Sequence, residues 1–365
     1  MLIRLCLPLA MIILFSAAGW ADEVDIEPRP ADPARLAARA LVLDVIQAGA
    51  SQYVAVGERG HVLRSTDGRT WEQAQFVPVQ STLIRVAFAG GRLWAVGHDA
   101  TIIHSRDLGQ TWSIQNFEPN WEMPLLDVHF FDANRGIAVG AFGLYMTTRD
   151  GGRNWERFDL ADLVTSEAID WEEVVRTAEQ EDDWDDELGF GDEDWDDEGW
   201  YDASQDFDRG CYQFMECHLN ALLVMGGDRL MIAAERGYGF RSEDGGQSWE
   251  SFRFPYSGSM FGLVHLGDES VLAFGLRGHV QLSHDFGRNW EILDTGSLTS
   301  NLKGAARGPD GRVLIVGAGA ARLTFDPETE QFSLREDRLG GAFASVFIRE
   351  DGKRIFAGDA GLSYE

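Results

Sequence analysis

The chain has 365 residues, of which 44% are hydrophobic, and carries a formal charge of −29. So acidic a chain is repelled by nucleic acid and by anionic membrane surfaces, which excludes both as partners. Beyond the first 21 residues no segment approaches the ~20 apolar residues that cross a bilayer, so direct membrane insertion is excluded as well.

At the N-terminus, Arg4, the apolar run "LCLPLAMIILFSAA" and the small residues before Asp22 read as a secretory signal peptide over 1–21. They predict an exported protein, periplasmic in a Gram-negative cell, with residues 22–365 as one domain. Cys6 is at the wrong end of the apolar run to be a lipoprotein cysteine. Only Cys211 and Cys217 remain after processing. In an oxidising compartment they are expected to close a small loop as a disulfide.

From residue 40 onward one pattern repeats. The phrase "STDGRTW" (65–71) returns as "SRDLGQTW" (105–112), "TRDGGRNW" (148–155), "SEDGGQSW" (242–249) and "SHDFGRNW" (283–290). A second phrase keeps the same beat through seven copies, from "VAVG" ending at Gly57 to "IFAG" ending at Gly358. Between these phrases stand short β-branched and aromatic runs, as in "LIRVAFA", "RLWAVG", "TIIHS" and "WSIQ" of the second repeat. Four strands in about 42 residues, repeated, is the pattern of a β-propeller blade. The expected fold is all-β, a seven-bladed β-propeller of four-stranded antiparallel blades. Its last repeat stops after three strands at "GLSYE", so residues 22–39 are expected to close the ring with an N-terminal strand.

The phrase S/T-x-D-x-G-x-T/S/N-W places Asp67, Asp107, Asp150, Asp244 and Asp285 in the turn between strands 3 and 4. There the carboxylate is expected to bond backbone amides, and the glycine to take φ > 0. Trp71, Trp112, Trp155, Trp249 and Trp290 then open strand 4 and wedge against a neighbouring strand or blade. A turn element present in five blades is scaffolding and not a single active site. In the sixth repeat Phe332 stands where the tryptophan is due.

This phrase resembles the Asp-box of the BNR-repeat propellers. Repeats such as "VGERGHVLRSTDGRTW" and "FGLRGHVQLSHDFGRNW" resemble more closely the photosystem II stability/assembly factor family, over most of residues 40–365. The resemblance implies a non-enzymatic, monomeric propeller without cofactors, acting as an assembly, stability or accessory factor for a membrane-associated protein client. Exported bacterial relatives are associated with RND-type transporters. In that family the arginines of a G-x-R-G turn between strands 2 and 3 bind the client. Here that turn holds Arg59, Arg236 and Arg277, in blades 1, 4 and 5 only.

The third and fourth repeats are separated by an acidic insertion, 161–217, with 22 Asp and Glu against Arg176 and Arg209. It carries −20 of the total charge and leaves −9 for the remainder of the chain. Residues 162–179 have the apolar spacing of a short helix. Charge this dense reads as a solvated decoration or as an arm for a basic partner, with Trp184 and Trp195 as anchors. In a four-strand meander the insertion must leave on the face of the 2–3 turns. Asp194, Asp196 and Glu198 have the spacing of a calcium loop, but Gln205 stands where its bidentate Glu is due, so no metal is assigned.

The alternative reading is a sialidase-like glycoside hydrolase on the same propeller. "FRFP" at 252–255 imitates the arginine motif of such enzymes, but it lies late in the chain with Phe254 in place of Ile. No tyrosine has an evident glutamate partner, and no catalytic residue is assigned.

Overall fold

Among the described residues seven antiparallel sheets follow one another, six with four strands in sequential order and the last with three. The computed structural model describes residues 26–165, 217–335 and 341–365. The expected signal peptide (1–21), most of the insertion with its expected helix, Trp184, Trp195, Asp194, Asp196, Glu198 and Cys211 lie outside them. No helix among the described residues is long and apolar enough to cross a membrane.

The first strand of each blade lies innermost. These strands, Val42–Ala48, Leu83–Ala89, Leu125–Phe130, Leu219–Gly226, Met260–Gly267, Leu302–Arg307 and Phe343–Ile348, touch in succession, and the last returns to the first. The fold is a seven-bladed β-propeller. Its second strands are the driest part of each blade. "QYVAVG" (Gln52–Gly57) and "GIAVG" (Gly136–Gly140) are buried at every position, because both faces of a mid-blade strand meet another blade.

Closure differs from the expected N-terminal strand. The C-terminal strand, Gly361–Tyr364, has no fourth neighbour among the described residues. Residues 26–36 run beside blade 1 instead, where Ala31 N–H donates to Val77 O and Gln80 Nε2 to Pro30 O. The physical reason is Pro28, Pro30 and Pro33, which lack the N–H groups a ladder requires. The ring is joined through its inner strands, with the Ser345 hydroxyl donating to Asp44 across the first and last blades at 2.8 Å.

Every inner strand carries a β-bulge after its first residue. The residue past the bulge is Asp44, Arg85, Asp127, Ala221, Gly262, Gly304 or Ser345 in blades 1 to 7. Three consecutive blades thus place an ionic triad round the axis. Arg85 lies 3.7 Å from Asp44 and 3.5 Å from Asp127. Each carboxylate also accepts a backbone N–H from the next blade's inner strand, Asp44 from Val86 and Asp127 from Leu222. On the opposite side of the ring the inner strands approach directly. A Cβ on Gly304 would stand 2.5 Å from Ala344 O and 2.9 Å from Ser345 Cα, both backbone. Gly304→Val is therefore expected to push blades 6 and 7 apart and cost about 2 kcal/mol. An unchanged thermal midpoint would contradict that close packing.

Candidate functional site

The turns sort into two faces by their hydrogen bonds. Each turn between strands 2 and 3 bonds to the link entering its own or the next blade: Glu58 N–H donates to Leu41 O, Gly60 to Ser81 O, Gly237 to Gly258 O and Leu276 to Ser259 O. The turns between strands 3 and 4 bond instead to those between strands 1 and 2, as Gly151 N–H does to Asn134 O and Gly245 to Asp228 O.

On that second face the five aspartates make one repeated structure. Asp107 Oδ1 accepts from the Thr111 N–H at 3.0 Å and the Ser105 hydroxyl at 2.8 Å, and Oδ2 accepts from the Thr111 hydroxyl at 2.6 Å. Ser105 Oγ accepts in turn from Gly109 N–H, and Gly109 sits at φ 83°. Asp67, Asp150, Asp244 and Asp285 repeat the pattern with Thr70, Asn154, Ser248 and Asn289. Each tryptophan after the turn packs against the preceding blade. Trp112 joins Val54 and Val56 of blade 1, Trp155 packs on the cluster that holds Trp94 and Val96 of blade 2, and Trp249 lies among Ile137 and Tyr145 of blade 3. Trp290 stacks on Phe252 of blade 4, and Trp71 joins Ile355 and Ala357 of blade 7.

These hydrogen bonds hold all five carboxyls below the usual carboxylate range. The backbone N–H and side-chain amide of Asn154 bring Asp150 down to about 2. The Thr70 and Arg69 N–H groups likewise hold Asp67 well below the usual carboxylate range. In Asp107, Asp244 and Asp285 partial burial opposes the shift, and the hydrogen bonds outweigh it. A folded value below the unfolded one, about 4, adds stability above that pH and loses it as pH falls through the folded value. Asp150→Asn is thus expected to flatten the fall of the thermal midpoint between about pH 4 and pH 2. Parallel curves for both proteins would refute this.

The opposite face carries the arginines. Arg59, Arg236 and Arg277 are exposed and stand at the apex of their turns at φ 56°, 54° and 53°. Phe142 and Gly319 occupy the equivalent apex of blades 3 and 6 at 53° and 61°. This left-handed region suits glycine and costs other residues about 1 kcal/mol. Arg236 and Arg277 belong to adjacent blades, while Arg59 is three blades away from Arg236.

Around the adjacent pair lies a sector that the repeat phrases do not announce. Phe142, 41% exposed, meets the His218 ring edge-on at 5.0 Å. His218 Nδ1 lies 3.5 Å from Glu235, the residue before Arg236. Tyr256 stacks on His279 at 3.6 Å, just after the Arg277 turn. Nearer the axis, Lys303 Nζ lies 3.4 Å above the Phe261 ring. Desolvation lowers the Lys303 pKa, and the Glu235 charge offsets part of that. Phe261 and Lys303 are the bulged residues of their inner strands. Aligning the repeats on that column (Leu43, Ile84, Leu126, Asn220, Phe261, Lys303, Ala344) is the signal that finds them.

The ends of the insertion sharpen the expected exit. Thr165 N–H donates to Trp249 O and Trp249 N–H to Leu163 O, so the chain leaves blade 3 at the outer edge of blade 4. It returns on the arginine face, where Cys217 O accepts from Gly143 N–H. Cys217 is disulfide-bonded. A 430 Å³ groove lies elsewhere, on the aspartate side between blades 2 and 3, lined by His104, Asp107, Gln115 and Arg153. Burial pushes His104 down to about 4.

A family model described as Photosynthesis system II assembly factor YCF48 matches residues 28–121, the first two blades and the segment before them. No curated protein matches the chain in sequence. Among solved structures, YCF48 from Cyanidioschyzon merolae is 16% identical with a TM-score of 0.62, covering 89% of this chain and 95% of that one. A structure of YCF48 bound to D1 peptide is 18% identical with a TM-score of 0.60, covering 89% and 91%. The WD40 propeller domain of Doa1 is as similar in shape, with a TM-score of 0.61 at 11% identity, covering 89% and 92%. At these identities the structures attest the fold. The likeness read from the repeats is borne out in sequence over the first two blades and in architecture over the ring.

Proposed function

We propose that this chain is a non-enzymatic propeller that binds a protein client on the face of its 2–3 turns, with the Arg236–Arg277 sector as the principal contact. The observation that carries the reading is the placing of three arginines in a backbone region where glycine is cheaper. Strain of this kind collects at binding sites. The sector combines exposed arginines with Phe142, Tyr256 and Phe261, and aromatic residues and arginine are the classes enriched at protein interfaces. A cationic, aromatic surface on so acidic a chain selects a client segment with carboxylates and apolar side chains. YCF48 has been seen with a D1 peptide bound, which supports a peptide client for this chain also. Residues 1–21 would export it, and a membrane complex, such as an RND-type transporter, is the class of client implied by the family resemblance. The protein would act there as a monomeric assembly or accessory factor, with Trp184 and Trp195 as further anchors.

The glycosidase alternative finds no support at its motif. Arg253 of "FRFP" ends an outermost strand with its guanidinium 4.0 Å over the Tyr238 ring. The test compares wild type with Arg236→Gly/Arg277→Gly in affinity capture from the native envelope. Glycine suits the apex, so the fold should keep its stability to within about 1 kcal/mol. A specific partner should be lost or bound at least tenfold more weakly. Equal capture by both proteins would sink the reading, and hydrolysis of a sialoside by purified protein would restore the enzyme.

A further inference from the structure

We infer that His284, Glu291 and Glu330 form a binding site for a divalent transition ion of the zinc type, bridging blades 5 and 6. His284 precedes Asp285 in the outer turn of blade 5, Glu291 opens that blade's last strand (Glu291–Leu293), and Glu330 lies in the outer turn of blade 6. His284 Nε2 lies 3.4 Å from Glu330 Oε1 and 4.0 Å from Glu291 Oε1, and one donor atom from each residue falls within 4.8 Å of the others. Donors about 2.0–2.1 Å from a tetrahedral zinc stand roughly 3.3 Å apart. Small rotations of two exposed glutamates therefore bring all three to coordinating distance, leaving a fourth position for water.

The second observation concerns the far side of the ring. His284 Nδ1 stands 3.2 Å from Ser270 Oγ. With the proton on Nδ1, donated to that hydroxyl, the Nε2 lone pair points at the two carboxylates. This is the outer hydrogen bond that metal-ligating histidines use to set tautomer and ring orientation. Without a cation such a lone pair would face two negative charges. One imidazole with two carboxylates also matches the charge and softness of zinc better than those of calcium or magnesium, which take oxygen alone. The competing account is an imidazolium paired with two surface glutamates, which needs no metal.

Isothermal titration of Zn²⁺ into the full chain, beside H284A, E330Q and S270A, separates the two. All four residues are on the surface, and circular dichroism should give the same spectrum for every variant. The acidic insertion also attracts divalent ions, but equally in each protein, so the readout is the difference between them. The expected result is one saturable zinc site in wild type, weakened at least tenfold in H284A and E330Q and about tenfold in S270A. Calcium should show no difference between wild type and H284A. Zinc isotherms that coincide for wild type and H284A, or a calcium site lost with His284, would overturn the assignment.

Discussion

Trp249→Ala is expected to destabilise the ring by about 3–5 kcal/mol, the range for removing a large buried aromatic side chain. The indole is 1% exposed and lies in one cluster with Ile137, Val139 and Tyr145 of blade 3 and Leu230, Ile232 and Phe240 of blade 4. Its ring stands edge-on to Tyr145, centroids 5.9 Å apart. The same residue holds the start of the insertion, since its N–H and C=O both bond to residues 163–165. Truncation would therefore open a void between two blades at the point where the long insertion leaves. Nothing nearby can fill it, because strand 2 of each blade is already packed on both sides. Trp290→Ala should cost less, as Trp290 is only half-buried beside Phe252 and Phe254. Guanidinium unfolding of both variants checks the order. A loss below about 1 kcal/mol for Trp249→Ala would refute the wedge.

Arg85→Met should be the most damaging single change on the axis, at about 3 kcal/mol. Removing one partner of a buried ionic group leaves the others uncompensated. The low end of the range applies because the Arg85 side chain remains 24% exposed. Asp44 would keep its bonds from Val86 N–H and the Ser345 hydroxyl, and Asp127 those from Leu222 and Val128 N–H. Two carboxylates would then share the channel with no cation between them. Burial already raises the Asp127 pKa, with Arg85 opposing the rise. The triple change D44N/R85M/D127N should recover part of the loss, since buried ion pairs seldom stabilise more than neutral groups of similar size. If the single change costs no more than the triple one, the triad does not act as a unit.

Much of this architecture could be read from residues a few positions apart. Ser105, Asp107, Gly109 and Thr111 bond to one another within seven residues, so their spacing alone implies the turn. Phe332 marks blade 6 even though its glycine turn is gone, and it packs on a cluster that includes Leu272 and Leu282 of blade 5, as the tryptophans pack on the preceding blade elsewhere. The arginines were visible for the same reason, as one column of a repeat. The N-terminal closure was misread because a missing fourth strand suggested a supplied one. Three prolines forbid the ladder, and interblade contacts suffice to join the ring.

The triad was not legible. Asp44, Arg85 and Asp127 lie about 40 residues apart in three repeats, and a one-residue bulge decides which side chain of each inner strand faces the axis. The same holds for Phe261 with Lys303, and for His284 with Glu330, each pair drawn from neighbouring blades. Order along the chain thus dictated the repeated blade, its count, its turns and the face on which each turn lies, because those depend on hydrogen bonds within one repeat. Which residues of different blades meet was decided only when the ring formed, because blade-to-blade contact follows strand register and closure, and neither is contained in any single repeat.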